Sequence, residues 1–212
     1  MTSLWGPLGW MTLHSISLLY PESPSQADKQ ILKRYMDLFR DTITCPYCQS
    51  HFKIIYTNYM RSHPEWANSR FDFFMFIVRA HNTVNKRLNK PKPESVQACL
   101  DMYKATTQNT SGLGYRTAYL TYLLRNYGRE LSGEGFMHAA EVREMNRITE
   151  EYWNRKTDES TTSFRMDANV LEFIDENSNT RSIMTSRGTL SEVSTQSLSI
   201  GLKGGRFQLR RQ

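Results

Sequence analysis

Two of the three cysteines of this 212-residue chain stand three residues apart, in the stretch Cys45-Pro46-Tyr47-Cys48. Two thiols at this spacing can form a small disulfide, supply two ligands to a metal ion, or alternate between dithiol and disulfide. Three cysteines are too few for a disulfide framework, which favours a reducing compartment for the protein. Redox or metal chemistry at the pair is therefore a better interpretation than a structural crosslink.

Pro46 suits the first turn of a helix, because the N–H that proline lacks would have no partner there. Cys45 would then cap that helix, and the positive end of the helix dipole would favour its thiolate. The pair would act as a disulfide that an external thiolate attacks and whose second sulfur passes electrons on.

Two other interpretations of the tetrapeptide stay open. Cys45, Cys48 and His51 have the spacing of half a zinc site, which His63 or Cys99 would have to complete, although no second CxxC or HxxxH motif follows. Cys-Pro-Tyr-Cys is also typical of dithiol glutaredoxins, whose fold needs a strand before the motif and a cis-proline segment opposite the disulfide. The residues before this motif instead have the pattern of an amphipathic helix, and no Thr-Val-Pro-like stretch follows.

Apolar residues at helical spacing predict an all-α fold around the pair, without alternating strands and crossovers. The predicted helices cover residues 10–19, about 28–43, 46–60, 69–90, a short fifth segment at 94–104, and two more at about 115–128 and 135–155. From residue 157 onward, 16 of 56 residues are Ser or Thr and only three are aromatic, which is typical of a disordered or weakly folded tail. The predicted regions are a core domain at 1–106, a helical extension or small domain at 107–156, and a poorly ordered tail at 157–212.

The composition limits the class of protein. Hydrophobic residues make up 39% of the chain and aromatic residues 12%, enough to bury a core. The apolar runs are too short to span a bilayer, and the first residues do not resemble a secretory signal. The net charge of +6 is too dilute to indicate a nucleic-acid partner. We therefore expect a cytoplasmic protein without a membrane segment.

Three motifs occur in a fixed order: Gly6-Pro7-Leu8-Gly9-Trp10-Met11-Thr12-Leu13-His14 followed by Tyr20-Pro21, then Cys45-Pro46-Tyr47-Cys48-Gln49-Ser50-His51-Phe52, then His81-Asn82-Thr83-Val84-Asn85-Lys86-Arg87-Leu88-Asn89-Lys90-Pro91. Their order and approximate spacing over residues 4–104 closely resemble the Erv/ALR family of FAD-linked sulfhydryl oxidases. The resemblance implies a bundle of four main helices and a short fifth helix that encloses FAD.

The resemblance also implies a reaction. A substrate dithiol attacks the active-site disulfide, the pair reduces the flavin, and O2 reoxidises the flavin to give H2O2. In the family the second cysteine of the motif lies against the isoalloxazine, which corresponds to Cys48. Cys45 would be the sulfur that substrate attacks and that carries the mixed disulfide.

The cofactor positions of the family carry over one at a time. Trp10 and His14 correspond to first-helix residues that line FAD, Gly6 to a close approach, and Tyr20 to the aromatic before the proline. The full cofactor-binding set is Gly6, Trp10, His14, Tyr20, His51, His81, Asn82, Asn85, Lys90 and Tyr103. No metal ligand is expected. Lys86, Arg87 and Lys90 are equivalent candidates for neutralising the pyrophosphate.

The chain also departs from the family pattern. Many relatives have a structural disulfide near the HN motif, but Cys99 has no partner cysteine here, and a free buried thiol is expected. No second, shuttle CxxC occurs, so the pair would meet its substrate directly or through a thioredoxin-like relay protein. These features most resemble the forms encoded by large cytoplasmic DNA viruses. The implied partners are thiol-containing proteins, O2 and a second copy of the chain in a homodimer; the alternative is a scaffold for assembly with the same fold.

Overall fold

The structure is a computed structural model that describes residues 5–128, 133–157 and 160–176, with the backbone of residues 201–203 and 206–208. Within these ranges the elements are α1 (Trp5–Leu19), α2 (Gln26–Asp41), α3 (Pro46–Ser62), α4 (Arg70–Arg87), α5 (Val96–Thr107), α6 (Gly112–Tyr127), α7 (Gly133–Glu151), a 3-10 turn (Trp153–Arg155), and the strands β1 (Gly201–Lys203) and β2 (Arg206–Gln208). The two strands pair with each other in antiparallel register. The predicted helical bundle with a short fifth helix and a helical extension is confirmed. None of the described helices is long and apolar enough to cross a bilayer.

Short polar side chains begin the helices that surround the cysteine pair. The first backbone N–H groups of a helix have no partner within the helix, so an oxygen or sulfur at the N-cap stabilises them. Serines cap α2, α4, α5 and α6 in this way. Cys45 caps α3, and Pro46 occupies its first turn, as predicted from the sequence.

Aromatic side chains fill the centre of the bundle. Tyr35, Phe39, Phe73 and Phe76 are completely buried, and Phe39 packs against Phe52 of α3 with ring centroids 5.4 Å apart. Burying a large aromatic side chain stabilises a fold by roughly 1.5–3 kcal/mol. This aromatic core fixes α2, α3 and α4 relative to one another, and α1 packs against α4, so the functional residues of these helices are positioned together.

Helices α6 and α7 are integral to the bundle. Helix α6 packs on α1, and α7 packs on α2. Arg116 of α6 is buried and donates to the Ser15 hydroxyl of α1 and to Asn154 Oδ1. The predicted boundaries at 106 and 156 therefore do not divide the fold, because the extension completes the apolar core. The structure instead divides the chain into two units after Glu176.

Residues 160–176, the C-terminal segment, pack against α4. Phe164 inserts between Phe71 and Phe74, and Val170 is buried in the same cluster. Arg79 Nε donates to the Asn169 carbonyl over 3.1 Å. This segment falls in the predicted poorly ordered tail. Phe164 and Val170 are buried by residues that lie about 90 positions earlier in the chain, so the sequence of the segment alone does not show what covers them. Most of the remaining predicted tail lies outside the described residues.

Candidate functional site

The two cysteines of the tetrapeptide form a disulfide at the start of α3. Their Cα atoms are 5.2 Å apart, and the Cys48 backbone N–H donates to Cys45 Sγ over 3.3 Å. Both residues are partly accessible, while the Tyr47 side chain between them is 68% exposed. When the disulfide is reduced, the same N–H and the positive end of the helix dipole favour the thiolate of Cys45.

Beside the disulfide lies a cavity of about 570 Å³, lined by residues of α1, α3, α4, α5 and the loop after α4. This volume is typical of a ligand-binding cavity. Cys48 is part of its lining, and Cys45 is not. Nine of the predicted site residues line it: Gly6, Trp10, His14, Cys48, His81, Asn82, Asn85, Lys90 and Tyr103.

A stack of rings forms one wall of the cavity. The Trp10 indole is nearly parallel to the His81 imidazole, with ring centroids 4.3 Å apart and planes 5° apart. His81 Nδ1 is 2.9 Å from His14 Nε2, so one imidazole donates to the other. Helices α1 and α4 are thus joined through the residues that the first and third motifs contribute.

Both imidazoles are neutral at pH 7. Burial lowers the pKa of His14 to about 4, and burial together with the neighbouring His14 and Lys90 lowers the pKa of His81 to about 3. Burial is the main cause in both cases, since an imidazolium loses its hydration there. The wall therefore offers an uncharged, polarisable surface of the kind that a planar ring system would stack on.

Two buried N–H groups at the cavity have no hydrogen-bond partner among the described residues. They are Trp5 Nε1 and Arg87 Nε, and both residues line the cavity. Unpaired buried donors are costly and rare in folded proteins. A Cβ added at Gly6, also on the cavity, would meet no protein atom within 4 Å, so the packing of the chain itself does not require glycine there. These features fit a ligand with both ring and acceptor groups, such as a flavin nucleotide.

The three basic residues near the end of α4 are not equivalent. Arg87 and Lys90 line the cavity, whereas the Lys86 ammonium lies over the Phe173 ring, 4.2 Å from its centroid. Because only Arg87 and Lys90 line the cavity, the structure favours these two over Lys86 as partners for an anionic group there. Glu176 lies 3.5 Å from Arg87 and offsets part of the positive charge of that guanidinium.

Asn82 borders the cavity, but its side-chain amide donates hydrogen bonds to two other segments of the backbone. Its Nδ2 donates to the Pro93 carbonyl over 3.1 Å and to the Val170 carbonyl over 3.0 Å. The side chain is buried, with 1% of its surface exposed. Asn82 thus ties the loop after α4, which contributes Lys90 to the cavity, to the C-terminal segment.

Tyr20 does not reach the cavity. Its ring is completely buried between Phe73 and Trp153, and its hydroxyl donates to the Ala67 carbonyl over 3.0 Å. Burial raises the pKa of this phenol well above its usual value. The placement of Tyr20 at the cofactor is therefore not supported by this geometry, because the chain after the end of α1 at Leu19 directs this side chain into the aromatic core.

His51 also lies outside the cavity lining. It follows Cys48 by one turn of α3, and its Nδ1 is 2.8 Å from a carboxylate oxygen of Glu176. The imidazole packs edge-on against Tyr47, with ring centroids 4.4 Å apart. His51 is thus a neighbour of the disulfide turn.

Several lining residues were not identified from the sequence. Phe52 lies one turn after Cys48, and Val84 one turn after His81, so helical spacing from the identified residues would have found both. Trp5, Met11 and Met102 line the cavity as well, without a signal that separates them from ordinary core residues. Cys99 is a free, buried thiol that also borders the cavity.

The alternatives for the tetrapeptide are not supported. No group of three or more His, Cys, Asp or Glu side chains in the described ranges is arranged to hold a metal ion. The motif follows helix α2 rather than a strand, and no cis peptide bond is present in the described part of the chain. A glutaredoxin fold requires both a strand and a cis-proline segment, so that interpretation is wrong.

Comparison with known proteins agrees with the motif order. The model of the Erv1/Alr family matches residues 8–107. The chain is 35% identical over 85 residues to FAD-linked sulfhydryl oxidase ERV1 of Arabidopsis thaliana, which covers 40% of this chain and 42% of that protein. Mitochondrial FAD-linked sulfhydryl oxidase ERV1 of Saccharomyces cerevisiae is 32% identical over 87 residues, which is 41% of this chain and 44% of that protein.

A viral relative is matched over more of its length. The FAD-linked sulfhydryl oxidase of African swine fever virus is 30% identical over 110 residues, which is 52% of this chain and 88% of that protein. The chain spans less than half the length of the plant and yeast relatives but nearly all of this viral one. The predicted resemblance is confirmed, and the chain belongs to the Erv1/Alr family.

Proposed function

We propose that the protein is an FAD-dependent thiol oxidase that makes disulfides in protein substrates. The observation that carries this proposal is the position of the Cys45–Cys48 disulfide. Cys48 lines the ring-walled cavity, while Cys45 lies outside the lining and at the N-cap of α3. One sulfur is thus available to substrate and the other to a ligand of the cavity.

The two cysteines would divide the thiol exchange between them. A substrate thiolate attacks Cys45 Sγ, the bond to Cys48 breaks, and Cys48 leaves as a thiolate. The second substrate thiolate then attacks the mixed disulfide, which releases an oxidised substrate and leaves Cys45 and Cys48 as a dithiol. Two electrons and two protons have passed from the substrate to the pair. The Cys48 N–H and the helix dipole favour this direction by stabilising Cys45 as the leaving thiolate.

The cavity residues would hold the cofactor. Trp10 and His81 would stack on its ring system, and the neutral His14–His81 pair would keep that wall uncharged. Arg87 and Lys90 would face its phosphates. The chemistry that bound FAD supplies is acceptance of two electrons and their transfer to O2, which gives H2O2.

The partners follow from the same chemistry. We propose thiol-containing proteins as substrates, reached directly or through a thioredoxin-like relay protein, since the chain contains a single CxxC. The small number of cysteines favours a reducing compartment, and we propose the cytoplasm of a host cell or a virion assembled there. We also propose a homodimer, for which the exposed side chains of Phe136 and Met137 on α7 are candidate contacts.

Flavin content and oxygen consumption test the proposal together. The purified protein should be yellow, with the visible absorbance of flavin, and should consume O2 when supplied with dithiothreitol. Cys48→Ser and Cys45→Ser should each lower turnover at least a thousandfold, because either change removes the disulfide. Thr57→Ala, at an exposed position of the same helix, should leave turnover unchanged. A folded protein that does not bind FAD, or full activity in both serine variants, would refute the proposal.

A further inference from the structure

Two basic residues contact the side chain of Tyr47, which lies in the exposed turn between the two cysteines. Tyr47 lies between the two cysteines, and the His51 imidazole packs edge-on against its ring. The Arg87 guanidinium lies over the same ring, 5.7 Å from its centroid. His51 comes from α3 and Arg87 from α4, so the two helices meet at the tyrosine that separates Cys45 from Cys48.

A single carboxylate joins these two basic residues. The same oxygen of Glu176 is 2.8 Å from His51 Nδ1 and 3.5 Å from an Arg87 guanidinium nitrogen. The Glu176 side chain is 20% exposed and those of His51 and Arg87 are 23% and 25% exposed, so solvent screens these contacts less than it screens pairs on the open surface.

Glu176 belongs to the C-terminal segment, and two hydrogen bonds fix the backbone just before it. The Ile174 N–H donates to the Thr83 hydroxyl over 3.0 Å, and Asn58 Nδ2 donates to the Asp175 carbonyl. These bonds anchor the chain to α4 and α3 in the two residues before the carboxylate. The fixed backbone therefore places the Glu176 carboxylate against His51 and Arg87.

We infer that Glu176 is a positioning residue of the Cys45–Cys48 pair, acting through His51 and Arg87 on the turn that contains Tyr47. Its negative charge offsets the positive charge of Arg87, which lies over the Tyr47 ring and lines the same cavity as Cys48, and its hydrogen bond fixes the His51 ring against Tyr47. Positive charge near a cysteine pair stabilises thiolate and so favours the reduced form. Glu176 thus keeps the disulfide harder to reduce than the basic residues alone would. This inference adds a residue to the proposed thiol oxidase.

The C-terminal segment also provides a matched control. Glu172, four residues earlier, likewise joins an arginine and a histidine: it pairs with Arg79 and lies 3.7 Å from His63 Nε2. His63 is the C-cap of α3, at the opposite end of that helix from the disulfide. Glu172→Ala therefore removes the same kind of bridge from the same segment without changing the surroundings of the cysteines.

The test measures the redox equilibrium of the pair rather than turnover. The full chain as purified is equilibrated without oxygen against mixtures of reduced and oxidised dithiothreitol at pH 7.5. It is then quenched with a maleimide, and mass spectrometry gives the fraction with Cys45 and Cys48 reduced. In Glu176→Ala the midpoint should move toward more oxidising mixtures by roughly three- to tenfold in the ratio of reduced to oxidised reagent. Glu172→Ala should keep the wild-type midpoint.

A second variant guards against misfolding. Glu176→Gln keeps a side-chain oxygen for His51 but removes the charge that faces Arg87, and its midpoint should shift in the same direction as that of Glu176→Ala. A wild-type midpoint in Glu176→Gln, or equal shifts in Glu176→Ala and Glu172→Ala, would overturn the inference. Absence of flavin or of oxygen consumption in the wild type would refute the thiol oxidase itself, while the comparison of midpoints would still decide the role of Glu176.

Discussion

His14 and His81 share one hydrogen bond at a position where a charge is costly. Burial lowers the pKa of His14 to about 4 and that of His81 to about 3, while an unfolded histidine has a pKa near 6.5. Between these values the unfolded chain binds more protons than the folded chain. Stability therefore rises with pH across this range and is lost as pH falls.

We predict that the free energy of unfolding falls as the pH is lowered from about 6.5 to about 4. Each of the two histidines contributes a slope of up to about 1.4 kcal/mol per pH unit, because folding requires it to stay neutral. Urea unfolding at pH 6.5, 5.5 and 4.5 measures the slope. His14→Gln should flatten it, and the control His138→Gln, at a position on α7 outside the cavity, should not. Parallel curves for all three proteins would contradict the assigned cause.

At the scale of elements, the start of α3 was predictable and the C-terminal segment was not. Pro46 preceded by a small polarisable residue is a local signal for a helix start, so the sequence alone placed Cys45 at the cap. Phe164 and Val170 are covered by partners on α4 that are about 90 residues away in the chain. Such long-range packing depends on gaps that only the assembled bundle defines.

The packing of Phe164 against α4 leads to a prediction about stability. Phe164 is buried between Phe71 and Phe74, so Phe164→Ala should lower the free energy of unfolding by roughly 3–5 kcal/mol through lost burial and the resulting cavity. Chemical denaturation measures the loss. Met166 is 44% exposed, and Met166→Ala should change stability by less than about 0.5 kcal/mol. Equal stability of the two variants would mean that the segment does not contribute to the core.

The difference between local helical spacing and long-range packing also explains which site residues could be predicted from the sequence. Trp10, His14, Cys48 and His81 lie at helical spacing within contiguous motifs, and all four reach the cavity. Tyr20 follows the last turn of α1, where the chain changes direction, and local spacing does not give the orientation of its side chain. Glu176 reaches the cysteine pair only through the fold, since 125 residues separate it from His51.

At the scale of the whole molecule, the family domain and its extension share one core. Tyr119 and Leu123 of α6 are completely buried, and Tyr119 packs on Phe39 of α2 with ring centroids 5.3 Å apart. Removing α6 and α7 would expose these contacts on α1 and α2. The predicted boundary at residue 106 marks the limit of the family resemblance, and the apolar core continues beyond it.

Truncation tests this description. A chain that ends at residue 176 retains all seven described helices and the C-terminal segment, so we expect a single cooperative thermal transition similar to that of the full chain. A chain that ends at residue 106 exposes the apolar faces of α1 and α2, so we expect aggregation or loss of a cooperative transition. Calorimetry and circular dichroism distinguish the two outcomes. A cooperative, soluble 1–106 chain would show that the extension is dispensable for folding.

The buried thiol on α5 has a consequence for the durability of an oxidase of this kind. Cys99 borders the same cavity as Cys48, and burial raises its pKa to about 12. Because of this raised pKa, Cys99 has almost no thiolate near neutral pH. Hydrogen peroxide and disulfides both react with the thiolate rather than with the thiol. In the proposed oxidase, peroxide would form in the cavity that Cys99 borders, and burial would keep this third sulfur from oxidative damage and from exchange with Cys45 and Cys48. Burial of Cys99 would thus allow the proposed oxidase to carry a third cysteine beside the cavity where its own product forms.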